Sequence, residues 1–139
     1  MEGIRNILTP DPEAEWLDSV TEKIIGGAIA VHRAIGPGLL ESAYEECLCF
    51  EMSQAGLHFE RQVPLPVTYK GVKLDCGYRM DVLVEDKVVI EIKAVDKIIP
   101  VHQAQLLSNL KLGNRPVGLL MNFHVPVLKD GLKRIVNRF

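Results

Sequence analysis

The chain has 139 residues, of which 47% are hydrophobic and 24% are charged, and its formal net charge is −2. This length and composition are typical of one domain with a real hydrophobic core, whereas two domains would each be too small to be stable. No apolar run approaches the roughly 18–20 residues of a membrane-spanning helix, so neither a membrane span nor a membrane partner is expected.

The N-terminal segment carries no apolar stretch of the signal-peptide kind, so a cytoplasmic location is expected. Residues 1–17 are predicted to form an arm, because Pro10 and Pro12 interrupt a regular helix start. Residues 18–139 are predicted to form a single domain without internal repeats.

The cysteine content excludes two classes of protein. Cys47, Cys49 and Cys76 form no C-x-x-C pair, so a disulfide framework is not expected. Three cysteines are also one short of a four-thiolate iron–sulfur cluster. We therefore expect reduced thiols in the core.

Two helices are predicted in the first half of the chain. Ser19 and Glu22 have the spacing of a capping box and would open a helix that ends at Gly36-Pro37-Gly38. A second helix is predicted from about Leu39 to Ala55, where the following glycine suits the position after a helix C-terminus.

Alternating apolar residues then predict four strands. They cover residues 63–67, 72–74, 78–84 and 88–94. Pro64 and Pro66 lack the amide donors that a central strand needs, so the first of these strands is expected at the edge of a sheet.

Three more elements complete the chain. We predict a third helix from Pro100 to Leu112, a buried strand over Val117–Phe123, and a last helix over residues 129–138 with one apolar stripe. The order is α-α-β-β-β-β-α-β-α, an α/β (α+β) arrangement.

The two strands around Glu85-Asp86-Lys87 form the most informative segment. If Val84 pairs with Val88, the two residue numbers of every pair add up to 172, and Asp81 therefore lies directly opposite Glu91. Alternation then gathers Asp81, Glu91 and Lys93 on one face, together with Leu83 and Val89. The other face carries only β-branched residues, namely Val82, Val84, Val88, Ile90 and Ile92. A two-residue turn would mix the two faces, so the sequence favours the first register.

Opposed carboxylates repel each other, but they can share a hard divalent cation such as Mg²⁺. Lys93, on the same face, could orient an attacking water or stabilise charge that develops on a phosphate. The three residues thus suit metal-assisted hydrolysis of a phosphodiester. The alternative is an exposed ion pair between Asp81 and Lys93 on the wet face of a sheet.

The third predicted helix carries a polar stripe. His102, Gln105 and Asn109 lie at positions i, i+3 and i+7, and the helix can place them beside the carboxylates. The alternative is that this face of the helix is simply exposed to solvent. For His102 taken by itself, that alternative is the expected one.

Charge is distributed unevenly along the chain. Residues 1–91 carry sixteen acidic and eight basic side chains, whereas residues 92–139 carry eight basic and two acidic ones. Such a split can mark a surface that faces a polyanion, or it can simply reflect solvated basic residues. The candidate phosphate contacts are Lys111, Lys129, Lys133 and Arg134.

The segment Gly38-Leu-Leu-Glu41-Ser-Ala-Tyr44 matches the pattern that names the GxxExxY protein family, which it therefore resembles. The resemblance extends from about Thr21 to Asn137 and includes Glu91-Ile-Lys-Ala94 and Asn122-Phe123. It implies a restriction-endonuclease-like PD-(D/E)XK core, in which helices flank a mixed central sheet.

The resemblance also implies roles for individual residues. Asp81, Glu91 and Lys93 would be the central catalytic residues, and Glu41 would join Asp81 and Glu91 at the metal. Gln105 matches the glutamine of a Q-x-x-x-Y element, although Asn109 stands where tyrosine is usual. Tyr44, one helical turn after Glu41, is expected to pack in the core, with a contact to the site as the alternative.

These observations predict a nuclease that depends on Mg²⁺ or Mn²⁺ and cleaves phosphodiester bonds, with DNA as the expected substrate. A different class of function stays open, namely a non-cleaving nucleic-acid-binding or protein-interaction module on the same fold. So short a chain leaves little outside the core to supply specificity, so self-association or a protein partner is also an expectation.

Overall fold

The elements of the protein are given by a computed structural model that describes residues 11–138. The helices are α1 (Pro12–Ile35), α2 (Glu41–Gln54) and α3 (Pro100–Gly113). The strands are β1 (Phe59–Pro64), β2 (Val67–Tyr69), β3 (Val72–Leu74), β4 (Arg79–Val84), β5 (Val88–Lys93), β6 (Val117–Asn122) and β7 (Leu132–Val136). A short 3-10 helix, Leu128–Gly131, precedes β7.

Five strands form a mixed central sheet in the order β1-β4-β5-β6-β7. Only β5 and β6 are parallel, and α3 supplies the crossover that parallel neighbours require. Strands β2 and β3 form a separate two-stranded hairpin. The predicted mixed sheet with flanking helices is therefore confirmed. The strand predicted over residues 63–67 is wrong in its bounds, because β1 ends at Pro64 and the next strand begins only at Val67. Strand β1, which shares Val63 and Pro64 with that range, lies at an edge of the sheet.

The sheet is buried on both faces. On one face α1 and α2 pack against alternate residues of the central strands, including Val82 and Ile90. On the other face α3 covers the intervening residues, including Leu83 and Val89. The side of the β4–β5 hairpin that carries the charged residues is therefore not an open wet surface, which removes the alternative of an exposed ion pair.

The first helix begins earlier than predicted. Asp11 caps it by accepting a hydrogen bond from the Glu13 amide at 3.0 Å, and Pro12 occupies the first turn. Proline is well tolerated there, because the amides of the first turn have no partner within the helix. Residues 12–17 are thus helical rather than part of an arm. The rest of the predicted arm, residues 1–10, lies outside the described residues.

The predicted last helix over residues 129–138 is wrong. The chain there forms the short 3-10 helix and then β7, which pairs antiparallel with β6. Leu132 packs with the core beneath α1 and α2, whereas Ile135 packs with the core beneath α3. The apolar residues interpreted as one helical stripe therefore serve both faces of an edge strand.

Two of the three cysteines agree with the expected core position. Cys49 is buried and Cys47 partly buried, whereas Cys76 is exposed, contrary to the prediction. Burial raises the pKa of the Cys49 thiol to about 11, so this thiol stays protonated at neutral pH. Within residues 11–138, no helix is both long and apolar enough to cross a bilayer.

Candidate active site

Asp81 lies where the backbone pairing of β4 and β5 ends. The pairs Val82–Ile90, Leu83–Val89 and Val84–Val88 confirm the predicted register. Beyond them the Asp81 carboxylate replaces a backbone partner, because its Oδ2 accepts a hydrogen bond from the Ile92 amide at 2.8 Å. The two strands therefore hold the Asp81 side chain in a fixed place next to the end of β5.

Glu91 and Lys93 occupy alternate positions on β5 and face the same side of the sheet. The Glu91 side chain is only 14% exposed and the Lys93 side chain 24%, and Glu91 Oε2 lies 3.8 Å from Lys93 Nζ. That separation is close enough for charge attraction but too long for a hydrogen bond. The other oxygen of Glu91 accepts a hydrogen bond of 3.1 Å from Asn109 Nδ2.

The two carboxyl groups are held in an environment that opposes their ionisation. Burial raises the pKa of Asp81, and the negative charges of Glu45 and Glu41 raise it further. Burial likewise raises the pKa of Glu91, and the charge of Asp81 adds to that effect. Lys93 and the hydrogen bonds from the Ile92 amide and from Asn109 partly offset these effects. Half-buried carboxyls with raised pKa values beside a cleft are typical of a functional site.

A cleft of about 560 Å³ opens beside these residues, between α3 and the segment that leads into β4. Glu91, Lys93, Gln105 and Asn109 all line it. The structure thus brings the predicted glutamine, together with the asparagine that stands in place of tyrosine, to the same cleft as the strand residues.

Glu41 is the first residue of α2 and is exposed. The negative charge of Glu41 adds to the raised pKa of both Asp81 and Glu91, after the larger effect of burial. Within residues 11–138, however, no three His, Cys, Asp or Glu side chains form a ready-made metal cluster. Glu41 would have to rotate towards the other two carboxylates to complete one.

Tyr44 packs in the core, as expected, and it also fixes the loop before Glu41. Its ring is fully buried and stacks on Phe123, with the ring centroids 4.5 Å apart. Its hydroxyl donates to the Gly36 carbonyl at 2.6 Å and accepts from the Leu39 amide at 3.1 Å. Tyr44 therefore holds the glycine-rich turn that sets where α2 begins.

Replacing Tyr44 with phenylalanine keeps the stacked ring but removes both hydrogen bonds. We expect the variant to fold with its free energy of unfolding lowered by about 1–2 kcal/mol, since two backbone groups lose a partner. Thermal melting measures the loss, and Tyr69→Phe, at an exposed tyrosine, is the matched control. A Tyr44→Phe protein as stable as the control would show that these bonds do not hold the loop.

Three residues beside Asp81 were not predicted. Glu45 is buried and accepts hydrogen bonds from Arg61 Nη2 at 2.8 Å and from Gln62 Nε2 at 2.8 Å. Gln62 has a positive φ of 51° and faces Asp81 across the β1–β4 ladder. The available signal was the spacing of Glu45, four residues after Glu41 and so on the same helix face.

Asn122 is a further residue whose role was missed. It ends β6 beside Lys93. Its Oδ1 accepts a hydrogen bond from the Val95 amide at 3.1 Å, and its Nδ2 donates one to the Val95 carbonyl at 2.8 Å. Asn122 therefore anchors the chain just after Lys93. The signals in the sequence were a polar residue at the end of a buried apolar run and the place of Asn122-Phe123 in the family resemblance.

Other predicted residues are not brought to the cleft. His102 Nδ1 accepts a hydrogen bond from the Ile99 amide at 3.1 Å, which caps α3 instead. Arg134 pairs with Asp18 of α1 at 3.1 Å. Of the candidate phosphate contacts, Lys111 lies on α3, Lys129 in the 3-10 helix, and Lys133 and Arg134 on β7. None of these four residues lines the cleft.

Comparison with known proteins gives one match. A family model described as the PD-(D/E)XK nuclease superfamily matches residues 18–135. No curated protein and no solved structure matches the chain significantly. The matched range contains every residue of the cleft. The finer resemblance to the GxxExxY family stays a prediction.

Proposed function

Because the chain belongs to the PD-(D/E)XK nuclease superfamily, whose members generally hydrolyse phosphodiester bonds, we propose that this protein is a nuclease that depends on Mg²⁺ or Mn²⁺ and acts on DNA. The observation that carries the proposal is the half-buried pair Asp81 and Glu91, with Lys93 Nζ 3.8 Å from Glu91. Glu91 and Lys93 line the cleft, whereas Asp81 does not. An acidic pair with an adjacent lysine is suited to phosphodiester hydrolysis.

The side chains fit a hard divalent cation. Carboxylate oxygens are its preferred ligands, and a bound cation would favour the ionised forms of Asp81 and Glu91, which burial alone disfavours. Asp81 and Glu91, joined by Glu41, would hold the metal. When bound, the metal would stabilise negative charge on the phosphate and favour ionisation of an attacking water.

The remaining roles follow from the contacts of the cleft. Asn109 fixes one oxygen of Glu91 by its hydrogen bond. In hydrolysis the oxygen of water forms a bond to phosphorus while the bond from phosphorus to one ester oxygen breaks. The water loses a proton to solvent, and the leaving oxygen takes one up from solvent. Lys93 would orient that water or stabilise the charge that develops on the phosphate. Gln105, exposed at the wall of the cleft, would position the substrate or the lysine.

A non-cleaving binding module is the second candidate. One observation favours it, namely that no three metal-ligating side chains are assembled within the described part of the chain. Incubation of the purified protein with supercoiled plasmid and Mn²⁺ distinguishes the two functions. The nuclease proposal expects nicking that EDTA abolishes, whereas the binding module leaves the plasmid intact.

The raised pKa values of Asp81 and Glu91 predict how metal binding depends on pH. Protons compete with the cation for both carboxyls, and they do so to higher pH than at an ordinary carboxyl, whose pKa is about 4. We expect affinity for Mn²⁺ to rise with pH beyond that range and to fall as the pH is lowered. Calorimetric titration with Mn²⁺ between pH 5 and about 8 measures this. A constant affinity over that range would contradict the prediction.

A further inference from the structure

The cleft continues beyond the proposed catalytic residues along two unlike walls. One wall is the polar side of α3, with Gln105, Ser108 and Asn109. The other is the segment that enters β4, with Tyr78 and Arg79. Glu91 and Lys93 lie along the same cleft, so a ligand that reaches them also contacts both walls.

Tyr78 and Arg79 present chemistry that the fold itself does not use. Tyr78 is 53% exposed although it lines a cleft, so one side of its ring is free. Arg79 is also exposed, and its side chain makes no ion pair with any described residue. An uncovered aromatic ring next to an uncompensated guanidinium is the combination that binds a base and its phosphate.

We infer that this cleft binds an unpaired nucleic-acid strand, with a base stacked on Tyr78 and a phosphate held by Arg79. The inference rests on the proposed function and specifies the substrate class of the same site. The polar wall of α3 supplies hydrogen-bonding groups for the sugar and phosphate on the opposite side.

The size of the cleft favours an unpaired strand over a duplex. Clefts of about 300–1,000 Å³ enclose a single small ligand. At about 560 Å³, this one has room for one or two nucleotides of a single strand. The bases of an unpaired strand are also free to stack on Tyr78, whereas those of a duplex already stack on each other.

The β2–β3 hairpin extends the binding surface beyond the cleft. Val67 lines the cleft, and strand alternation puts Tyr69 on the same face, directly across from Val72. Tyr69 and Val72 are exposed, and Lys70 Nζ lies 5.4 Å from the centre of the Tyr69 ring. A second ring with an adjacent cation would accommodate the next bases of an extended strand.

Fluorescence anisotropy with a labelled single-stranded oligonucleotide in Ca²⁺ tests the inference without cleavage. We expect Tyr78→Ala to weaken binding about tenfold, since base stacking is lost, while Tyr78→Phe binds within about twofold of wild type. Phe50→Ala is the matched control, because Phe50 is exposed to a similar degree but lies on α2, across the sheet from α3. We expect it to bind as wild type does.

Further probes show what the cleft and Tyr78 recognise. An oligonucleotide without bases should bind wild type and Tyr78→Ala equally, whereas a matched duplex should bind wild type more weakly than the single strand does. DNA and RNA strands of the same sequence show which of the two is the ligand. Unchanged single-strand binding by Tyr78→Ala, or tighter binding of the duplex, would overturn the inference.

The results also separate this inference from the nuclease proposal. If wild type cleaves nucleic acid but Tyr78→Ala binds single strands as wild type does, the nuclease proposal stands and the strand site is wrong. If binding depends on Tyr78 but no metal supports cleavage, the strand site stands and the nuclease proposal fails. If wild type binds no nucleic acid and instead self-associates through the hairpin, the strand site is wrong.

Discussion

Replacing Lys93 with alanine is expected to reduce metal-dependent cleavage by about a thousandfold or more while leaving the fold intact. Lys93 is the single basic group adjacent to Glu91 on β5, so its loss removes the charge that stabilises the developing negative charge on the phosphate. Asp81→Ala and Glu91→Ala are expected to cause losses of similar size. Because the three residues act as a unit, the double variants should lose little more than the single ones.

The chain supplies its own matched control for this experiment. Glu85-Asp86-Lys87 repeats the Glu-x-Lys spacing of Glu91 and Lys93, but it lies in the turn between β4 and β5. The side chain of Lys87 is 43% exposed and approaches Glu13 only at 4.0 Å. Lys87→Ala should therefore cleave plasmid at the wild-type rate. Undiminished cleavage by Lys93→Ala would remove this lysine from the mechanism.

The second large effect concerns stability with and without metal. Asp81→Asn replaces a carboxyl group whose pKa is raised by burial and by the charge of Glu45 with a neutral amide. The side-chain oxygen of the asparagine can still accept the hydrogen bond from the Ile92 amide. Without metal, we expect the variant to be at least as stable as wild type. Added Mg²⁺ or Mn²⁺ should reverse the order, since only the intact site gains about 2.7 kcal/mol at a hundredfold excess over Kd. That gain corresponds to roughly 10 °C in Tm.

The dependence on pH gives this comparison a second check. An acid whose pKa is raised on folding binds its proton more tightly in the folded state, so the free energy of unfolding falls as the pH rises through the range between the unfolded and folded pKa values. The advantage of Asp81→Asn should thus be present at neutral pH and disappear in acid. Asp75→Asn is the control, because Asp75 also accepts a backbone amide but is exposed.

Two outcomes would contradict the proposed metal site. If Asp81→Asn without metal is several kcal/mol less stable than wild type, the Asp81 carboxylate is a structural acceptor of the Ile92 amide. If both proteins gain equally from metal, the cation binds at another place on the chain.

The register of the β4–β5 hairpin could be predicted from the sequence because it is a local property. Apolar residues alternate on both sides of a short turn, and only one register keeps Val82, Val84, Val88, Ile90 and Ile92 on one face. That register alone gathered Asp81, Glu91 and Lys93 on one side. The spacing of Gln105 and Asn109 likewise followed from the period of one helix.

The C-terminal element could not be decided in the same way. Leu132, Ile135 and Val136 have a spacing that suits one side of a helix, but two of them pack on opposite faces of an edge strand. This segment forms a strand because it can pair with the otherwise free edge of β6. The pattern of residues within the segment does not indicate that such an edge lies next to it. The early start of α1 was missed because proline is compatible with both a helix start and a loop.

The sequence by itself thus determined the fold class, the hairpin register and which charged residues share a face, because all three depend on short-range periodicity and on a motif. Only the tertiary structure decided how Glu45, Arg61 and Gln62 meet next to Asp81, how Tyr44 holds the turn before Glu41, and where Tyr78 and Arg79 lie. Those contacts join residues from different elements, and their distances are set by the packing of helices against the sheet rather than by spacing along the chain.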